Sequence, residues 1–192
     1  MTPWILIDSA QVPGNGGELQ LYRRGAEFSI KIAGRGELMN SRVHGSEDAL
    51  AAQTCARLTG CLKPHLLIGG LGMGFTLAAA LRHLGDQARV EVAELVPAVV
   101  AWNRGVLGEA AGHPLRDPRV NVHEGDVARI LMTARQAWDA VLLDVDNGPE
   151  GLTRKENDWL YGGDGLSAAY AALRPGGVLA VWSAGPDQGF LQ

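Results

Sequence analysis

Leu66-Leu67-Ile68-Gly69-Gly70-Leu71-Gly72-Met73-Gly74-Phe75 is the stretch that decides the fold. A short apolar run enters four glycines within six positions, and a second apolar run, Phe75 to Leu84, leaves them. That pattern predicts a buried strand, a tight turn and a helix N-terminus. Glycines let a ligand approach the main chain, and the first turn of a helix offers free N–H groups. The dinucleotide fingerprint needs glycines at its first, third and sixth positions. From Gly70 the sixth position is Phe75, and from Gly69 the third is Leu71, so neither register fits. What remains is Gly70-x-Gly72-x-Gly74, a turn suited to a different nucleoside ligand.

Downstream, strands and helices alternate. Strands are predicted over 89–94, 119–123, 140–145 and 178–182. Helices are predicted over 75–84, 97–107, 127–134 and 165–173, the second with Pro97 at its start. Pro175-Gly176-Gly177 reads as the turn before the last strand. This order implies a doubly wound, Rossmann-like α/β fold around a parallel sheet. Upstream the pattern differs. Short alternating runs over 4–8, 18–23, 27–32 and 37–39, with turn signals at Pro13-Gly14 and Gly34-Arg35-Gly36, predict a small antiparallel β meander. Ser46 is the candidate N-cap of a helix over 47–58. The expected organisation is a meander over 1–45 and a Rossmann-like domain over 46–192.

Composition narrows the function. With 46% hydrophobic and 20% charged residues the chain can build a core. Its net charge is -4 and its only adjacent basic pairs are Arg23-Arg24 and Arg154-Lys155, which argues against a nucleic-acid partner. No apolar run approaches the ~20 residues of a membrane span, and the N-terminus lacks the features of a signal peptide. Cys55 and Cys61 are expected to be reduced, in keeping with a cytoplasmic protein. The five histidines show no metal spacing, so no metal is expected.

Acids stand at the predicted strand ends. Glu94 closes the second parallel strand about 20 residues past the glycines, where a carboxylate can accept from both ribose hydroxyls. Asp126, in Gly125-Asp126 after the third, can contact an adenine amine and also cap the next helix. Asp144 and Asp146, two residues apart after the fourth, point to one side of an extended chain. Asp144 follows three apolar residues, and partial desolvation there would raise its proton affinity, as a base for an amine requires. In the following loop Glu150, Trp159 and Tyr161 are candidate substrate contacts, the two aromatics equally readable as packing.

The order of glycine turn, Glu94, Gly125-Asp126 and Asp144 resembles the class I S-adenosylmethionine fold, and more narrowly the spermidine synthase (polyamine aminopropyltransferase) group. The resemblance implies that Gly70, Gly72 and Gly74 line the methionine part of S-adenosylmethionine or its decarboxylated form. Glu94 would hold the ribose and Asp126 the adenine. Asp144 would deprotonate a small-molecule amine that Asp146 helps to hold. The chain departs from the family at three motifs. Gly72 stands where the family has the Asp of Gly-Gly-Gly-Asp-Gly-Gly, Asp144-Val145-Asp146-Asn147-Gly148-Pro149 replaces Asp-Ser-Ser-Asp-Pro, and Gly45-Ser46-Glu47 replaces Tyr-His-Glu. Three readings follow: aminopropyl transfer, methyl transfer to a small molecule, and a non-catalytic nucleoside-binding relative. The family fold continues beyond the fifth strand with a helix and a strand pair. Only 185–192 remain here, so either a shortened chain or a homodimer covering the last strand is expected.

Overall fold

The computed structural model describes residues 2–14, 16–145 and 158–183. The first strands, β1 (Ile5–Gln11), β2 (Glu18–Arg24), β3 (Glu27–Ile32) and β4 (Gly36–Asn40), form an antiparallel sheet in chain order. Alternation is clearest in β2, where Leu19 and Leu21 are buried while their neighbours are only partly covered. Helix α1 (Gly45–Arg57) leads to the second sheet. It begins with His44 at the cap, not Ser46, and no side chain caps its N–H groups. The Ser46 hydroxyl instead donates to Glu47 Oε2 at 2.5 Å.

The second sheet holds β5 (His65–Gly69), β6 (Arg89–Glu94), β7 (Val120–Glu124), β8 (Trp138–Leu143) and β9 (Leu173–Val181), all parallel, in the order β7-β6-β5-β8-β9. After β5 the chain builds outward through β6 to β7, then returns to place β8 on the other side of β5. The β5–β8 boundary is therefore the topological switch point, where such sheets bind ligands beyond their carboxyl ends. Helices α2 (Phe75–His83), α3 (Pro97–Arg104), α4 (Val127–Thr133), α5 (Asp158–Tyr161) and α6 (Gly163–Ala172) are the other α-helices among the described residues.

Successive residues of β5 serve opposite faces of the sheet. Leu66 and Ile68 join Val90, Val92, Ala140 and Leu142 in one core, with Leu77 of α2 and Val99 of α3. Leu67 joins Val141 and Leu143 in the other, with Leu131 of α4 and Ala169 of α6. Burial on both faces is why Leu66–Gly69 of β5 and Ala140–Leu143 of β8 read as continuous apolar runs without alternation. Leu21, Phe28 and Ile30 of the meander belong to the first core, so the small sheet packs as its outer wall. Two polar contacts fix it there: Trp102 Nε1 donates to Asp8 Oδ2 at 2.8 Å, and Arg23 meets Glu109 at 3.3 Å.

Among the boundaries that differ from expectation, two have a visible local reason. The helix expected over 97–107 stops at Arg104, and Gly105 and Gly112 bracket a 3-10 segment, Val106–Ala111. The turn expected at Pro175-Gly176-Gly177 lies within β9. Trp138 pairs with Leu173 and Ala140 with Val178, so the intervening residues loop out as a bulge opposite Asp139. Asp139 holds that bulge, accepting from Arg174 Nη1 at 2.8 Å. No helix among the described residues is long and apolar enough to cross a membrane.

Candidate functional site

The strand ends are held in line by bonds one step beyond the regular ladders. Gly70 N–H donates to Ala93 O, Asp144 N–H to Gly69 O and Gly125 N–H to Glu94 O, each at 2.8 Å. Across the carboxyl edge of the sheet the order is consequently Asp126, Glu94, the glycine turn, Asp144.

The turn is shaped from below and from both sides. Gly70 has φ +89°, and a Cβ there would lie 2.1 Å from the main-chain oxygen of Asp144. Only glycine lets β5 and β8 approach so closely at their tips. Gly74 caps α2 with a left-handed conformation and is buried beneath the turn, facing Asn103 and Pro114. Asn103, buried on α3, donates Nδ2–H to Gly72 O at 2.8 Å and to Val99 O at 2.9 Å. Glu94 is 8% exposed, and its two carboxylate oxygens accept from Leu71 N–H and Val96 N–H, both at 2.9 Å. Glu94 thus shapes the turn while facing the cleft.

Two clefts meet at this edge. The first is a concave cleft, open at its mouth, over the strand ends. Gly70, Gly72, Glu94, Asp126 and Asp144 line it, and Ile30 and Met39 of the meander form its far wall. Asp126 also caps α4, accepting from Ala128 N–H at 2.9 Å, so both roles expected of that position can coexist. The second cleft lies on the other side of the turn between α1 and α2. Glu47, Thr76, Trp182 and again Asp144 line it. Asp144, Gly72, Leu38 and Met39 are common to both.

Asp144 is strongly perturbed by its surroundings. Burial pushes its carboxyl up to about 6; a hydrogen bond from Thr76 works against that rise, and the charge of Glu47 adds to it. Thr76 Oγ1 donates to Asp144 Oδ2 at 2.5 Å, fixing which oxygen is free. A carboxyl that ionises near neutrality, half-buried between two clefts, is suited to taking a proton from a bound group.

Of the predicted site residues, Gly70, Gly72, Glu94, Asp126 and Asp144 converge on the first cleft, with Gly74 behind it. Tyr161 is buried in the second core and donates its hydroxyl to Val145 O at 3.1 Å, propping the chain just beyond Asp144. Trp159 packs at the edge of that same core. Asp146 and Glu150 lie outside the described residues. Thr76 and Asn103 carry functions the linear reading did not assign. Asn103 left one signal, a lone amide ending the apolar run Val99-Val100-Ala101-Trp102. Among the described residues no cluster of three or more His, Cys, Asp or Glu is arranged to hold a metal.

Comparison with solved structures matches this architecture. A spermidine synthase in complex with the transition state analogue AdoDATO superposes with TM-score 0.71 at 18% identity, covering 92% of this chain and 55% of that one. The fold is that of the spermidine synthases. The spermidine synthase from Thermotoga maritima gives 0.68, again at 18% identity, covering 88% and 54% of the two chains. In sequence the chain resembles polyamine aminopropyltransferases. Polyamine aminopropyltransferase 1 of Streptomyces coelicolor is 33% identical over 127 residues, 64% of this chain and 23% of that protein. The Nitrosomonas europaea polyamine aminopropyltransferase is 33% identical over 116 residues, 60% and 34% of the respective chains. The matched region thus spans about a quarter to a third of the length of these curated relatives. No family model matches the chain.

Proposed function

We propose that the chain is a spermidine synthase-like transferase unit that binds an adenosyl sulfonium donor and transfers its aminopropyl group to a small amine. The observation that carries this reading is the position of Asp144 on the wall shared by the two clefts. A donor in the first cleft and an acceptor in the second would meet there.

In this reading Asp126 contacts the adenine, Glu94, which lines the same cleft, accepts from the ribose hydroxyls, and the Gly70–Gly72 turn borders the sulfonium. The amine nitrogen forms a bond to the donor carbon attached to sulfur. The carbon–sulfur bond breaks, its electron pair going to sulfur, and the proton leaving nitrogen passes to Asp144. The sulfonium activates its own leaving group, so the main tasks of the protein are alignment and proton removal. The donor is S-adenosylmethionine or its decarboxylated form, and decarboxylated donor is the form that aminopropyl transfer consumes. Asp146 and Glu150 are proposed to add negative charge around the acceptor.

The test is identification of the by-product after incubation with either donor and a panel of short alkylamines. Methylthioadenosine supports the reading. S-adenosylhomocysteine would replace it with methyl transfer, and nucleoside binding without turnover would replace it with a non-catalytic role.

A further inference from the structure

Asn103 is an amide where an apolar side chain would pack. It lies on α3 at 1% exposure, and the other buried residues of that helix are Val99, Val100 and Trp102. Its NH2 serves two carbonyls, Gly72 O at 2.8 Å and Val99 O at 2.9 Å. Its Oδ1 is buried without a hydrogen-bond partner among the described residues. A Cβ on Gly74 would lie 3.0 Å from that oxygen, and a Cβ on Gly108 only 2.2 Å from the Asn103 main-chain oxygen, so glycines make room for this residue on two sides. A buried acceptor left unpaired destabilises the fold, and leucine, of similar shape, would avoid that. Val99 O is the carbonyl that α-helical geometry already assigns to the Asn103 N–H, so Gly72 O is the acceptor that needs the side chain. The peptide between Gly72 and Met73 is trans, and its carbonyl and N–H point opposite ways. Anchoring Gly72 O on α3 therefore turns Met73 N–H away from α3. That N–H makes no hydrogen bond among the described residues. Gly72 lines both clefts and Met73 the second.

From this arrangement we infer that Asn103 is a positioning residue for the nucleoside ligand: it holds the Gly72 carbonyl on α3 and so fixes the glycine turn in its binding conformation. The inference rests on the reading of the first cleft as the nucleoside site. Asn103 lines neither cleft, so it acts only through the turn. Glu94 holds the turn from β6 through Leu71 N–H at 2.9 Å, and Asn103 holds it from α3 through Gly72 O. The turn is thereby clamped from two elements. Gly72 has φ +51°, and a glycine released at that oxygen is free to take either hand, which would swing the carbonyl out of α3 and displace the wall that Gly70 and Gly72 present. A turn ordered before the ligand arrives spares the entropy of ordering it on binding.

The test compares wild type, Asn103→Leu and Asn103→Asp. Leucine keeps the approximate shape and removes both the donor and the unpaired oxygen. Aspartate keeps the shape and donates only while protonated, the form that burial favours. Methylthioadenosine binding is measured calorimetrically over pH, beside melting temperature and transfer kinetics. Asn103→Leu should bind methylthioadenosine about tenfold more weakly, the equivalent of one hydrogen bond. Its melting temperature should stay within about 4 °C of wild type, and the acceptor KM should not move, whereas general structural damage would lower all of these together. Asn103→Asp should bind near wild-type strength at low pH and lose affinity more steeply than wild type as pH rises. Unchanged affinity in Asn103→Leu would overturn the assignment, as would a loss shared equally by donor and acceptor. If Asn103→Leu does not fold, Asn103→Asp decides, and a pH dependence equal to that of wild type overturns the assignment. Wild-type protein that binds no methylthioadenosine would overturn the nucleoside reading. Asn103 is then judged by hydrogen exchange of the unliganded proteins: Leu71 and Gly74 N–H, bonded to Glu94 and to Leu71 O, should exchange about tenfold faster in Asn103→Leu, and equal rates would overturn its role.

Discussion

Gly70→Ala tests how β5 and β8 meet at the switch point. At Gly70 the backbone has φ +89°, and a new Cβ would lie 2.1 Å from Asp144 O and 2.9 Å from Asp144 C. A left-handed conformation costs an L-residue about 1–2 kcal/mol. Forcing an added carbon into packed surroundings costs about 1–3 kcal/mol more, towards the upper end here because main chain, not a side-chain tip, must yield. The expected loss is therefore about 2–5 kcal/mol in total. For a chain of 192 residues each kcal/mol corresponds to about 2–4 °C in melting temperature, giving a fall of roughly 4–20 °C. The displaced carbonyl belongs to Asp144, so nucleoside affinity should fall with stability.

Gly72→Ala is the matched control. Its φ is +51°, and a Cβ would meet the Met39 side chain, 3.2 Å from Sδ and 3.5 Å from Cε. A thioether tip can rotate away, so only the backbone strain of about 1–2 kcal/mol should remain. Melting curves of both variants, with and without methylthioadenosine, measure the difference. A Gly70→Ala melt within about 2 °C of wild type, or a Gly72→Ala variant less stable than Gly70→Ala, would refute the close approach at the strand tips.

Asp144→Asn should leave methylthioadenosine affinity within about threefold of wild type while lowering transfer by at least about a hundredfold, the lower range of general-base contributions; calorimetry and single-turnover assays separate the two. The acidic limb of kcat/KM should fall at about pH 6, where Asp144 ionises. Thr76→Val removes the hydrogen bond that opposes that rise, so the limb should move to higher pH; a shift to lower pH would contradict the assigned contact. Stability carries the same signature. The native Asp144 carboxyl keeps its proton to a higher pH than the unfolded one, so its contribution is present below the unfolded value near 3.8 and is lost as pH rises through about 6. Denaturant melts of wild type and Asp144→Asn across that window should diverge accordingly. Glu94→Gln sets an amide NH2 against one of two main-chain donors, Leu71 N–H or Val96 N–H, and should cost about 1–3 kcal/mol in urea unfolding, together with nucleoside affinity.

The residues that converge on the first cleft were legible because they close strands or the turn. Glu94, Asp126 and Asp144 each stand at or just past the end of a predicted strand, and in a parallel sheet every such position falls on one edge. Gly70 and Gly72 announced the turn between β5 and α2. Boundaries were less legible wherever a local signal served a longer-range contact. Pro175-Gly176-Gly177 reads as a turn, yet it bulges within β9 because Asp139 reaches across to hold Arg174. Ser46 reads as a cap, yet its hydroxyl serves Glu47.

What the linear order concealed is the pairing that makes Asp144 chemically distinctive. Thr76 precedes Asp144 by 68 positions, and they touch because the chain returns after β7 to lay β8 against β5. Glu47 precedes both and reaches the cleft only because His44, Asp48 and Arg82 pin α1 to α2. Apolar periodicity selects a sheet with helices on both faces, but the strand order in space decides which helix overlooks which strand end. Had β8 joined the outer edge of β7 instead, Asp144 would still close an apolar strand, but without Thr76 beside it or Glu47 across from it. Burial at the end of that apolar strand remains the larger cause of its raised proton affinity, and topology sets the two opposed adjustments, the Thr76 hydrogen bond that lowers it and the Glu47 charge that raises it.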